Sequence, residues 1–217
     1  MNEIENVLSL FKTAEDWNSF VELSNMKDMM VRELKRRLLT EMRIIAESNL
    51  SGAGWEYDAK DDYISIVLQG HHALSICIEW RHWSWYKRGA GIWIDPSKIA
   101  PEDFIGNVNA NADLKGFLTA NGFHESGENA WYPFMKTIPA KVFFQDDSSD
   151  SCSLEEECLF RAIQDAEGLA KDLWNNVFNP FVEGNIFKSV ENVNLSTVIA
   201  YKQNGVKHHF LDDYDRE

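Results

Sequence analysis

The chain has 217 residues, with 35 acidic side chains against 21 Lys and Arg for a formal charge of −14, and 44 % hydrophobic residues that include 8 Trp. That content supplies a packed core and excludes intrinsic disorder, collagen-like repetition and low complexity, while the length fits one large domain. No apolar run approaches the roughly 18 residues a bilayer span needs, the opening MNEIENVLSLFK lacks the basic region of a secretory signal, and Cys77, Cys152 and Cys158 form no C-x-x-C, which together predict a cytoplasmic protein outside the membrane.

Residues 1–50 read as helical. Thr13 and Asp16 have capping-box spacing, after which Trp17, Phe20 and Val21 share a face. Asn25 and Asp28 offer a second start for a longer helix, in which Met26, Met30, Leu34, Leu38, Met42 and Ile45 recur every three or four residues. Its opposite side carries Lys27, Arg32, Lys35, Arg36 and Arg43, and the run from Ser51 to Gly54 ends it. Residues 55–95 read as an antiparallel meander. Ile64, Ile66 and Leu68 alternate with Tyr63, Ser65 and Val67, and Leu74, Ile76 and Ile78 alternate with Ser75, Cys77 and Glu79. This places an apolar row inward and a mixed, solvated row outward. The segments 55–60 and 91–95 would be the outer strands, stopped by Pro96.

Beyond the sheet, Pro101 opens a short helix, and Asn111–Ala120 forms another that Asn121 and Gly122 close. The aromatic run from Trp131 to Phe134 leads to one further strand near 141–144, and 145–153 is a polar loop. A long helix follows over 154–178, with Leu159, Ile163, Ala166, Leu169, Ala170, Leu173 and Val177 buried and Asn179-Pro180 as its end. The fold class is therefore α+β, a central antiparallel meander flanked by N-terminal helices and a long C-terminal helix. Residues 1–205 form a single domain, and 206–217 form a flexible acidic tail.

Two arrangements carry chemistry. Asp58 and Asp62 lie on or beside a strand adjacent to that of Glu79, which is followed by Arg81. Carboxylates on neighbouring strands with a cation nearby are what a Mg²⁺-dependent nuclease requires, and this is the enzymatic alternative. The structural reading makes them part of a solvated sheet face. The second arrangement is the aromatic-cationic run 80–88, where Trp83, Trp85, Tyr86, Lys87 and Arg88 are the residue types enriched at binding hot spots and at stacking sites for single-stranded nucleic acid. The structural reading has Trp80 and one or two others close the end of the core. His71-His72 and His208-His209 lack the spaced ligands of a structural zinc site, and no phosphate loop or nucleophile elbow occurs. The reading calls for no cofactor and no metal.

Charge decides among partners. Residues 1–100 carry 15 acids and 12 bases, whereas residues 101–217 carry 20 acids and 9 bases. Such a surface repels a phosphate backbone and argues against direct nucleic-acid binding. It suits a protein partner with a basic surface, met by Glu155, Glu156 and Glu157 or by the run at 80–88. A structural homo-oligomer subunit is the remaining alternative.

The stretches FVELSNMKDMMVRELKRRL (20–38), GIWIDPSK (91–98) and WYPFMK (131–136) resemble the accessory region that follows the catalytic part in some prokaryotic PD-(D/E)XK nuclease-like proteins. The chain has no matching catalytic Pro-Asp and acid-x-Lys pair, so the resemblance implies the accessory half without nuclease activity. It implies a phage, prophage or defence-associated setting, in which small acidic proteins act by binding. The sequence as a whole predicts a non-enzymatic interaction protein.

Overall fold

The computed structural model describes residues 11–60, 63–70, 72–79, 89–127, 131–138 and 154–184, with the backbone alone at 154–157. The N-terminal helix α1 (Ala14–Asn49) begins on the predicted capping box: Thr13 Oγ1 accepts from the Asp16 N–H, and Asp16 accepts in return from the Thr13 N–H at 2.8 Å. Those bonds hold the Asp16 carboxyl below its ordinary range. Asn25 and Asp28 start nothing, because α1 runs through them without a break. Neither residue forbids helical backbone, so the local alternative to helix is not enforced.

The meander is present as β1 (Trp55–Lys60), β2 (Tyr63–Leu68), β3 (Leu74–Glu79) and β4 (Gly89–Ile94). The chain then forms α2 (Pro101–Ala110) and α3 (Ala112–Ala120), with Asn111 accepting from the Leu114 N–H as the N-cap of α3. Gly122, at φ +79°, ends α3 in a Schellman motif in which Phe123 N–H reaches the Leu118 carbonyl. Two short strands follow, β5 (His124–Glu125) and β6 (Phe134–Thr137). They extend the sheet to the order β1-β2-β3-β4-β6-β5, antiparallel throughout. Strand β4 is therefore interior and not an outer strand, since β6 covers its free edge through Gly89–Ile92. Four-residue β6 with polar Lys136 and Thr137 leaves little alternation to read. The strand expected near 141–144 lies outside the described residues.

The C-terminal helix α4 (Leu154–Leu173) differs from the expected straight rod. Asp165 has extended backbone (φ −156°, ψ 81°) and caps a new turn through the Gly168 N–H at 2.8 Å. The helix kinks there, which lets Arg161 reach Asp172 at 2.5 Å, a span no straight helix permits over eleven residues. Ile163, just before the kink, is exposed and not buried as expected, while Leu169, Ala170, Leu173 and Val177 are buried.

Nor does Pro180 end the helix. A π-helical turn (Trp174–Phe178) widens the backbone and α5 (Asn179–Gly184) continues through the proline. The Asn176 carbonyl, which Pro180 cannot serve for want of an N–H, accepts the Lys136 ammonium at 2.6 Å.

The helices among the described residues lie against one face of the sheet. Leu38, Met42 and Ala46 of α1 join Phe104, Leu118, Leu169, Trp174 and Phe181 over the inward row Ile64, Ile66, Ile76, Ile78 and Ile92, forming one continuous core.

Candidate functional surfaces

The outer face of the sheet is organised in rows across the strands. Lys60, Tyr63 and Glu79 form one row, and Asp58, Ser65, Cys77, Gly91 and Met135 the next. Tyr132 lies on this face. Its ring occupies the space a side chain at Gly91 would take, so that a Cβ there would come within 2.5 Å of the Tyr132 ring. From that seat the Tyr132 hydroxyl is buried close to the Glu79 carboxylate and the Cys77 thiol. Met135, Tyr63, Trp93 and Trp131 complete the cover, with the Trp93 and Trp131 rings stacked at 6.1 Å.

The outward row is thus not the solvated face expected from alternation. Ser65, Ser75 and Cys77 are buried, because a residue distant in sequence closes over them. Glycine within the strand was the legible signal: it marks a place where another part of the chain approaches closely.

Asp58 and Glu79 face the same side, as expected, but their strands are not adjacent. Strand β2 separates them, putting about 10 Å between the β1 and β3 backbones. Tyr63 stands between, donating to Asp58 Oδ2 at 2.7 Å. Asp58 thus accepts from a phenol, while Glu79 lies near the buried Tyr132 hydroxyl. Burial, followed by the contact with Asp58, pushes the Tyr63 hydroxyl upward, and burial drives Tyr132 higher still. Burial and the nearby Glu79 charge also raise the Cys77 thiol well above its usual range, so it stays protonated at neutral pH and is a poor nucleophile. Asp62 and Arg81 lie outside the described residues. Among the described residues, no group of three or more His, Cys, Asp or Glu is placed to hold a metal ion.

The sequence-predicted contact run, with Trp83, Trp85, Tyr86, Lys87 and Arg88, also lies outside the described residues, as do His71, His208 and His209. Glu155, Glu156 and Glu157 fall in the first turns of α4, where only the backbone is described.

A surface that periodicity alone did not reveal is the N-terminal half of α1. Leu38, Met42 and Ala46 bury the C-terminal half, whereas residues 13–30 are exposed throughout. Within that stretch Trp17 is 49 % exposed, Leu23 58 % and Met29 53 %, joined by Phe20, Val21, Met26 and Met30. Phe11 folds back on the first turns, with its ring 5.3 Å from Trp17 and 5.0 Å from Phe20. The aromatic end is therefore ordered while remaining open to solvent.

No family model, curated protein or solved structure matches the chain. Among the described residues, no helix is long and apolar enough to cross a membrane.

Proposed function

We propose that this chain is a non-enzymatic interaction protein of the cytoplasm that binds a protein partner, and that the N-terminal half of α1 is its recognition element. One observation carries the reading: seven large apolar side chains stand exposed on about four turns of a single helix. Scattered exposed hydrophobes are ordinary, whereas a contiguous set this size marks a contact surface. Each forgoes on the order of 1 kcal/mol of burial while it remains wet. Met26, Met29 and Met30 add flexible thioethers that adapt to an apposed surface, and an amphipathic helix seated in an apolar groove is a common recognition mode.

The outer face of the sheet supports the same reading by disfavouring catalysis there, since Asp58 accepts from Tyr63, Tyr132 is buried beside Glu79, and the thiol is protonated. The run at 80–88, and Glu155, Glu156 and Glu157 facing a basic surface, are proposed as auxiliary contacts. The resemblance to a nuclease accessory region agrees with a binding role.

Quantitative affinity capture from the native host tests the reading. The double substitution Leu23→Glu/Met30→Glu alters exposed positions only, so the protein should stay folded, with the circular dichroism spectrum of the wild type. The expected result is that proteins retained by the wild type, an untagged copy of the chain included, are lost with this variant. Equal recovery by both refutes the assignment.

A further inference from the structure

We propose that the exposed half of α1 is covered by a second copy of this chain, the two helices packing antiparallel about a two-fold axis level with Asn25. The proposal rests on the protein-binding reading and names its partner. Phe20, Leu23, Lys27, Met30 and Leu34 recur at alternating spacings of three and four, the seam of a two-stranded coiled coil, which puts Lys27 on the apolar side and not, as expected, on the opposite one with Arg32 and Arg36. Along this seam Phe20, Leu23 and Met30 are exposed, with Trp17 and Met26 on its flanks. Val21 and Met29 lie on the far side and stay in solvent. Seam packing ends naturally at Leu34, where the helix begins to join its own core.

Charge selects the direction. Residues 14–24 carry Glu15, Asp16 and Glu22 and no base, whereas residues 26–36 carry Lys27, Arg32, Lys35 and Arg36 against Asp28 and Glu33. A parallel pair would lay the acidic stretch on its equivalent, but an antiparallel pair lays it along the basic stretch. With the axis level with Asn25, Phe20 of one copy faces Met30 of the other, Leu23 faces the aliphatic stem of Lys27, and the two Met26 side chains meet. A single polar residue inside a seam is a device that fixes register and strand number, here filled by Lys27. The contact is isologous, so it closes at two copies and does not propagate.

Sedimentation velocity and light scattering on the full chain, over roughly 1–100 μM, test the state. The expected species is a dimer with twice the 25.0 kDa chain mass, which Leu23→Glu converts to a folded monomer. Direction is tested by oxidation in a Cys152→Ser background, where the described cysteines Cys77 and Cys158 are buried. M26C should form a disulfide-linked dimer, and F20C should not; the reverse pattern, expected of a parallel pair, overturns the proposal. A dimer indifferent to Leu23→Glu overturns it as well. A wild type monomeric across the range also overturns it. In that case capture still lost with Leu23→Glu/Met30→Glu leaves the protein-binding reading standing, and capture unaffected by the variant removes both.

Discussion

The closure of the outer sheet face makes a sharp prediction at Gly91. Substituting alanine adds one methyl group, whose carbon would sit 2.5 Å from Cδ1 and 3.3 Å from Cε1 of Tyr132. These are ring atoms of a buried side chain and not the free end of a flexible one, so ring and strand must separate by about 1 Å. Overpacking of this kind costs about 1–3 kcal/mol, against which alanine regains about 0.5–1 kcal/mol of backbone entropy in a strand. The net expectation is a loss of about 1–2 kcal/mol, equivalent to a fall in Tm of about 2–8 °C for a chain of this size. Urea unfolding followed by circular dichroism should show a lower midpoint with an unchanged slope. Tyr132→Val, which has no δ atom to meet the new methyl, provides the control. It is destabilising by itself, but in its background Gly91→Ala should cost nothing, a coupling of about 1 kcal/mol or more. A Gly91→Ala protein as stable as the wild type, or full additivity of the two substitutions, would refute the placement of Tyr132.

Other expectations concern single groups. Lys136→Met should destabilise by about 1–2 kcal/mol in the same urea assay, because the Asn176 carbonyl loses the donor that substitutes for the missing Pro180 N–H; the loss should shrink in a Pro180→Ala background. Glu33, bound by Arg36 at 2.8 Å and Arg37 at 3.0 Å, has its carboxyl lowered from the ordinary 4.5 to about 2. A lowered carboxyl contributes stability above its unfolded pKa, so the contribution should be intact above pH 4.5 and fade as the pH falls through about 2. Carboxyl-carbon NMR titration of Glu33 checks the midpoint. In a Cys152→Ser protein, iodoacetamide at neutral pH should leave Cys77 and Cys158 unmodified in the native state and label both in urea, as mass spectrometry would record; rapid native labelling of Cys77 would contradict its burial and raised thiol.

Features written in neighbouring residues were legible in the sequence. The Thr13–Asp16 box, the start of α2 at Pro101, the helix that follows Asn111, the stop at Gly122 and the alternation of β2 and β3 are all satisfied within a few positions of the residues that announce them. Features depending on distant partners were not. The apolar spacing of Ile163, Ala166 and Leu169 continues across Asp165, so the kink in α4 leaves no mark on periodicity. Strands β5 and β6 are defined by pairing with each other and with β4 more than by their own two and four residues. The site was only half legible: alternation put Asp58, Cys77 and Glu79 on one face, but nothing local said that Tyr132 would arrive from beyond two helices to close it. For α1, the heptad stripe announced an apolar face without revealing that α4 covers only part of it.

The exposed half of α1 also links folding to recognition. An isolated helical stretch of this length is marginal in water, and residues 14–30 are exposed, with no element among the described residues packed over them to stabilise it. Their order derives from propagation out of the packed C-terminal half and from the cap at Thr13. Replacing a capping threonine by alanine costs a helix about 0.5–2 kcal/mol, and at Thr13 it would release the reciprocal bond to Asp16 as well. Thr13→Ala lies outside the Phe20–Leu34 seam, so it should act on association only by fraying the helix that must be ordered when a partner binds. Faster hydrogen exchange over 14–30 is expected, with association through this face weakened about 2- to 30-fold and the urea midpoint of the sheet unchanged. Faster exchange with undiminished association would mean that the partner does not need this half of α1 to be helical, and a seam of residues spaced by helical turns would then be the wrong description of the contact.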